Sequence, residues 1–553
     1  MRKWKTLILT AALTVGIGCL TGAKAQASSV KIDQANFPDA SIRTYVTQYD
    51  TNKDGALSDE ERNKMISFRL DYDYSKPYGI KEGQIVDFTG MQNFPNITVV
   101  CLDLEYEVSN KKICKWNYDA VNLMKSFPNM DALHVTTREG QKIVLRGTSK
   151  KLTQLECYAY NNDRPGSGID STLYAPNVKN LVLWGKWLQN NKNIGKKFPN
   201  AKKVELPSSN LGGGNTFKGM KKVEQLVLDA ADSDSVNVQP LRATLKEFWL
   251  GDMQASYFAV KCKHSRLESQ EPNIMGIKIN KKKAYTLDLS GMQKLERVYA
   301  CGEQKIKAVK LWDNKTKKGA PKLKDLQLYG AQITAMDATG APKLERLFVG
   351  NTIQKLNVNN NKKLRELGLI SNQKLSLKIA NKNLKYLRII GKKMKKIDIK
   401  KCSNLVNLSM EGVTVGQLDC RKNRHLHSLY LSNSTVKQLY LPKVQKSKML
   451  SKYIGLTEPG ATEGDGEPLE YASYKGYGFW ENTKINVMDL SGYKKLNNYI
   501  KKFQLGNGFG YYNKWSENKT KIKKIVINKN LRKSDKKWVK KMAKKQKIKV
   551  VEK

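Results

Sequence analysis

The chain has 553 residues, of which 99 are Lys or Arg and 50 are Asp or Glu, so its formal charge is +49, and it holds only four histidines. Apolar residues make up 40%, and a mean hydropathy of −0.57 comes mostly from lysine, which excludes a multi-pass membrane protein, a histidine-rich metalloenzyme and a disordered or collagen-like chain. Anionic partners suit the charge, although most of it serves as solvated surface.

Residues 1–27 read as a secretory signal peptide. Arg2, Lys3 and Lys5 precede the apolar run 7–20, and TGAKAQA supplies small-residue cleavage sites at Ala23/Ala25 and Ala25/Ala27. No later stretch reaches the roughly 18 uncharged apolar residues that cross a bilayer. The expected product is therefore secreted, with no transmembrane segment. Seven cysteines follow the signal, with no CxxC spacing, so they are expected to act mostly as small apolar plugs.

Residues 28–84 are expected to form an EF-hand-like calcium-binding cap. DTNKDGALSDEE fits the loop pattern D-x-[DN]-x-[DN]-G-x5-E from Asp50 to Glu61. The expected oxygen ligands of a structural Ca2+ are Asp50, Asn52, Asp54, the carbonyl of Ala56, Ser58 through a water, and bidentate Glu61. Gly55 stands at the sharp turn and Leu57 at the apolar eighth position. Before the loop, Phe37, Ile42, Tyr45, Val46 and Tyr49 form a helical stripe with Asp39 as N-cap, and a second helix is expected from about Ser58.

From 85 to 518 the chain repeats. LxxLxL segments begin at Leu323, Leu344, Leu364, Leu384, Leu405 and Leu426, 20 or 21 residues apart, and a second apolar segment lies halfway round each unit, as in IQKLNV ending at Val358. Alternation on a short strand turns the leucines inward, and one coil cannot bury them alone, so coils must stack. The expected fold is a mostly β solenoid of leucine-rich repeat type, with two short strands per 20–21-residue coil and insert loops. Outward positions of the first strand are assigned Trp184, Trp249, Tyr299, Phe348 and Tyr430, a candidate ligand-binding face, since a flat ring on a rigid strand can stack on a sugar or anchor a protein. The second strand presents a mostly polar column that includes Asp337, Asn357, Lys378, Asp398 and Asp419. The Tyr- and Gly-rich stretch 470–481 is a further candidate patch.

Residues 519–553 hold 15 Lys and Arg532 against Asp535 and Glu552. They are expected to form a lysine-rich β-α-β cap, with a helix N-capped by Ser534 that turns Trp538, Val539 and Met542 inward. No helix-turn-helix, zinc-finger or RNP pattern accompanies the charge, so nucleic acid is not expected as a specific partner.

The order of signal peptide, NFPD plus helix plus DTNKDGALSDEE, and then alternating leucine units such as LDLSGMQKLERVYA and IDIKKCSNLVNLSM resembles the secreted leucine-rich repeat proteins of gut and oral Gram-positive bacteria. That resemblance implies a secreted or surface-associated recognition module for an extracellular protein or glycan. The sequence ends in KIKVVEK without an LPxTG-like signal, so any wall attachment is expected to be noncovalent. The alternative is a structural or cell-wall-associated protein held by cationic contacts to an anionic cell-wall polymer. A glycan-processing enzyme is the weaker alternative: no HExxH, GxSxG, P-loop or papain-like motif occurs, and His134, His264, His425 and His427 have no partner at motif spacing.

Overall fold

The computed structural model describes residues 29–70, 78–108, 112–137, 141–159, 168–185, 188–189, 194–206, 216–228, 236–251, 284–301, 306–329, 331–350, 352–371, 375–391, 393–426, 428–441, 479–496 and 521–553. The expected signal peptide, His264, His427, most of the stretch 470–481 and the bulk of the inserts at 252–283 and 445–483 lie outside the described residues.

Two walls of parallel strands form as the leucine spacing requires. The long wall is a 16-stranded sheet that runs from Ser67–Leu70 to Phe479–Glu481. Its rungs stack in register, so that Leu347, Leu367, Leu387, Leu408 and Leu429 stand side by side. All five are 0–1% exposed. Full burial of one such side chain contributes about 1.5–3 kcal/mol, available only when the next coil covers it. The second wall is laid down in separate pieces, the longest a 7-stranded sheet from Leu375–Lys378 to Lys549–Glu552.

The corners between walls are closed by polar side chains whose spacing also follows the repeat. Buried Asn361 donates from Nδ2 to the carbonyls of Ala338 (2.9 Å) and Ala341 (2.7 Å). Asn381 donates to the Asn361 carbonyl at 2.7 Å, and Asn423 donates to those of Ile399 (2.9 Å) and Cys402 (2.7 Å). Cys402 occupies the same place between them and points its thiol at the Ile379 carbonyl, 3.5 Å away. These residues satisfy backbone oxygens that the turn removes from water and from both ladders.

Both ends of the stack carry helices. At the N-terminal end, Asp39 caps the helix Ala40–Thr47 by accepting from Ser41 and Ile42 N–H at 2.8 and 3.3 Å. Phe37, Ile42, Tyr45 and Val46 are buried. The Tyr45 hydroxyl accepts from Arg69 N–H at 3.2 Å, joining the helix to the first rung of the long wall. That rung, Ser67–Leu70, falls inside 28–84, so strand stacking starts earlier than the leucine pattern indicates. Its SFRL sequence buries Phe68 and Leu70 without the LxxLxL spacing that marks later rungs.

At the C-terminal end, Lys521–Ile527 pairs with Lys484–Leu490, and Lys549–Glu552 pairs with Lys521–Ile527. The helix between them, Lys533–Lys545, begins one residue before Ser534, with Arg532 at the N-cap position. Ser534 is thus not the cap. Buried Asp535 ties this turn to the stack instead, accepting from Leu496 N–H at 3.0 Å and from the Arg532 guanidinium at 2.9 and 3.1 Å.

Candidate functional site

On the long wall, strand pairing places Trp249, Tyr299, Gln327, Phe348, Gly368, Arg388, Ser409 and Tyr430 on one outward row. Residues on either side of each aromatic point inward and are buried, as with Phe248 and Leu250 at 0%. The aromatics themselves are half-buried. Trp184 does not share the row. It follows Leu183 and pairs in register with Tyr158, one outward position further along the strand, because the inward residues of its rung are Leu181 and Leu183 with Val182 between them. Its ring lies 5.9 Å from that of Tyr158.

The row is built on a polar platform. The Trp249 and Tyr299 rings lie 4.3 Å apart with 33° between their planes, a tilted contact slightly closer than the roughly 4.5–7 Å usual for aromatic pairs. The Tyr299 hydroxyl donates to Asp325 Oδ2 at 3.1 Å, and burial together with the Asp325 charge pushes its pKa up. Asp325 is only 2% exposed. Gln327 donates to it at 3.0 Å and Arg346 pairs with it at 2.7 Å, yet desolvation wins and its carboxyl sits above the ordinary range. Phe348 lies over Gly368, where a Cβ would stand 2.1 Å from the ring carbons Cδ1 and Cε1, so any larger residue at 368 would displace the ring. Leucine spacing carries no sign of this platform, because Asp325 reads as an outward polar position.

The polar column of the second wall has a structural task. Asp337 and Asp489 each accept from the backbone N–H two residues on at 2.9 Å, and Asp398 and Asp419 do so at 3.2 Å. A short side-chain acceptor at this position mimics a backbone turn and bends the chain out of the strand. Asp419 also binds the Arg421 guanidinium at 2.7 and 2.9 Å, which with the Arg421 N–H holds its pKa below the usual range. These carboxylates are corner-makers first.

The loop from Asp50 to Glu61 has the expected backbone. Gly55 takes φ +80°, and Gly55 N–H donates to Asp50 Oδ2 at 3.0 Å. Asp54 N–H lies 3.2 Å from Asp50 Oδ1 and 3.1 Å from Asn52 Oδ1, while Asp54 Oδ1 accepts from Ala56 N–H at 2.8 Å. Asp50, Asn52 and Asp54 are thereby gathered on one turn. Leu57 is fully buried and pairs with Val30 in a two-strand bridge. Ser58 and Glu61 are engaged with each other. Ser58 caps the helix Asp59–Asn63 in a capping box, and Glu61 accepts from Thr51 N–H and O–H (2.7 Å each) and from Ser58 N–H and O–H (2.9 and 2.8 Å). These bonds, the Ser58 backbone foremost, hold the Glu61 pKa down at about 2. Four donors fill the carboxylate's lone-pair positions. Among the described residues no three Asp, Glu, His or Cys side chains converge on a metal-sized point, so a cation would have to draw Glu61 away from some of these bonds.

His134 stands beside Cys101 and Glu156 in register, a nucleophile-base-acid order. Its Nδ1 lies 3.5 Å from Glu156 Oε2, however, and its Nε2 lies 2.9 Å from Thr136 Oγ1. Both ring nitrogens therefore already have oxygen partners, Thr136 on the same strand and Glu156 on the next. Cys157, Cys402 and Cys420 are fully buried, and burial raises their thiol pKa values, that of Cys402 to about 11. Cys157 and Cys420 fill apolar space, while Cys402 holds its corner position against the Ile379 carbonyl.

No family model and no curated protein matches the chain. Among solved structures it is similar to the functional domain of InlJ from Listeria monocytogenes, described as including a cysteine ladder, with 15% identity and a TM-score of 0.39 over 85% of this chain and 84% of that one. The stacked parallel walls and inward leucine rows described above define this chain as a mostly β, solenoid-like repeat protein. No helix among the described residues is long and apolar enough to cross a membrane.

Proposed function

We propose that this chain is an exported, non-catalytic recognition module of the bacterial leucine-rich repeat kind, which binds an extracellular protein or glycan through the outer face of its long wall. The observation that carries the reading is the single outward row with Trp249 tilted against Tyr299, and with Phe348 and Tyr430 further along, all half-buried on one continuous sheet. Rings held on rigid strands lose little entropy on contact, and a well-packed aromatic anchor is the usual seat of binding energy. An array of glycans, cell-wall fractions and host proteins at low and high salt would find the ligand. Replacing Tyr299 and Phe348 by Ala should then cost at least about 1 kcal/mol of binding per anchor. A loss of stability with unchanged affinity of the folded fraction would refute the recognition face.

The loop Asp50–Glu61 is assigned to a structural calcium ion held by oxygen donors. The left-handed Gly55, the gathered Asp50, Asn52 and Asp54 and the anchored Leu57 support this, and a lone loop of this kind suits weak, extracellular-range affinity. The alternative reading, retention on an anionic cell-wall polymer, draws on the C-terminal helix. Lys536 and Lys540 there pair with Glu552 at 2.7 and 2.9 Å, while Lys533, Lys537, Lys541 and Lys544 lie exposed on the face opposite buried Asp535, Val539 and Ala543.

A further inference from the structure

One of the breaks between the pieces of the second wall opens beside Leu356. Lys355–Asn357 pairs with Ala335–Asp337 on one side, and Leu375–Lys378 pairs with Lys393–Asp398 on the other, but the two strands belong to different sheets and share no ladder. The long wall is unbroken at the same level, since Arg346–Val349 and Glu366–Ser371 remain paired. The break opens into a cleft of 460 Å³ lined by Gln354, Lys355, Leu356, Asn357, Asn359, Ser376 and Lys378. Leu356 marks the opening. The corresponding inward residues Met336, Leu377, Ile397, Leu418 and Leu439 are at most 7% exposed, whereas Leu356 is only half-buried. The strand behind the next lip is irregular: Leu375 and Ser376 pair with Met394 and Lys396, so Lys393–Asp398 carries one extra residue, a bulge that bends the strand backing the lip.

We propose that this cleft is a binding site for an acidic sugar unit of an extracellular glycan. The cleft is shallow, opens broadly to solvent and is lined mostly by polar side chains, so a ligand would lie across it as a sugar does on a polar groove. Lys355 and Lys378 bring one ammonium to each lip, both exposed. The nearest carboxylates in register, Asp337 and Asp398, lie one strand outside on either side. They are already engaged, Asp337 with Thr339 N–H and Asn357 Nδ2 and Asp398 with Lys400 N–H. Along the same lining, Gln354, Asn359 and Ser376 offer amide and hydroxyl groups to sugar hydroxyls, and half-buried Leu356 offers an apolar surface to the C–H face of a ring. Free phosphate would use the cations but neither the amides nor the apolar surface. An inserted peptide strand would need the coils to part by about two strand spacings, near 9.6 Å, which the paired long wall at the same level forbids.

The cleft and the aromatic row lie on opposite walls, so their tests separate. The full chain is titrated with hexagalacturonate, with neutral maltohexaose and with a hexaglutamate peptide at one fixed salt concentration. The wild type should bind hexagalacturonate at least about tenfold more tightly than either control. Lys355→Gln with Lys378→Gln should weaken it at least about tenfold, and Leu356→Trp, which fills the cleft and leaves every charge in place, should do the same. Lys150→Gln with Lys222→Gln, which removes two exposed charges away from the cleft, should leave it unchanged, and circular dichroism should show all variants folded. No binding of hexagalacturonate, equal binding of hexaglutamate, or indifference to Leu356→Trp would overturn the site.

Discussion

Replacing Arg346 by Ala should destabilise the coils around the aromatic row in a way that depends on pH. Arg346 is the cation nearest a carboxylate that is 2% exposed. Removing one partner of a fully buried ion pair costs about 3–5 kcal/mol, because the other charge is left in low dielectric. The Arg346 side chain is 29% exposed, so water already screens part of the pair, and about 2–3 kcal/mol near pH 7.5 is expected. Asp325 has a native pKa raised above its ordinary 3.8 by desolvation, and loss of the guanidinium raises it further. For an acid whose folded pKa exceeds its unfolded one, the folded state takes up its proton first as pH falls. The penalty is thus complete above the folded pKa and is relieved as pH drops through it toward the unfolded value. Urea unfolding of wild type and Arg346→Ala at about pH 7.5 and about pH 5 should show the gap narrowing at the lower pH. In the Asp325→Asn background the same Arg346 change should cost much less, by the logic of a double-mutant cycle. An equal loss at both pH values, or an undiminished loss in the Asp325→Asn background, would refute the buried platform beneath Tyr299.

Glu61→Gln should lower calcium affinity measured by calorimetry and loosen the N-terminal helices while leaving the far coils folded, since repeat units couple mainly to neighbours; no calcium binding by the wild type at millimolar concentration would end the assignment. Without calcium, Glu61 stabilises its loop above its ordinary pKa of 4.5 and loses that effect as pH falls toward about 2, visible as growing amide exchange in 50–61. Asn423→Ala removes a fully buried donor from the Ile399 and Cys402 carbonyls and should cost about 2 kcal/mol in urea unfolding, whereas a neutral result would show that water replaces it. Replacing Lys533, Lys537, Lys541 and Lys544 together by Gln should release the protein from purified anionic cell walls at lower salt. Substitution is preferable to truncation at Thr520, which would strip the paired strand Lys521–Ile527 from Lys484–Leu490; equal elution would leave the lysine face a solubility device.

Leucine spacing made the long wall legible, because a side chain two residues from another on a strand must share its face and a coil of 20–21 residues returns it to the same height. The same rule set Trp249, Tyr299, Phe348 and Tyr430 outward, and it displaced Trp184 because the weaker rung at Val178 hides which apolar residues point inward. The cap at Asp39 and the turn at Gly55 were legible as well, since each answers a local need. The corner role of Asp337 and Asp398 was hidden by their outward position, which reads equally well as a ligand face until the turn is seen to claim their oxygens.

Sequence by itself determined what depends on near neighbours along the chain: the period, the inward and outward faces, the turn residues and the loop Asp50–Glu61. Tertiary structure alone decided which residues 50 apart stand ring to ring, as Trp249 and Tyr299 do across an insert and a strand of the opposite wall. It also decided that Asp325 lies beneath a tyrosine and an arginine, and that the second wall parts between Lys355–Asn357 and Leu375–Lys378 while the first stays closed. Burial and strand pairing belong to the stack as a whole, and the environment of any one residue is supplied by coils that its own segment does not encode.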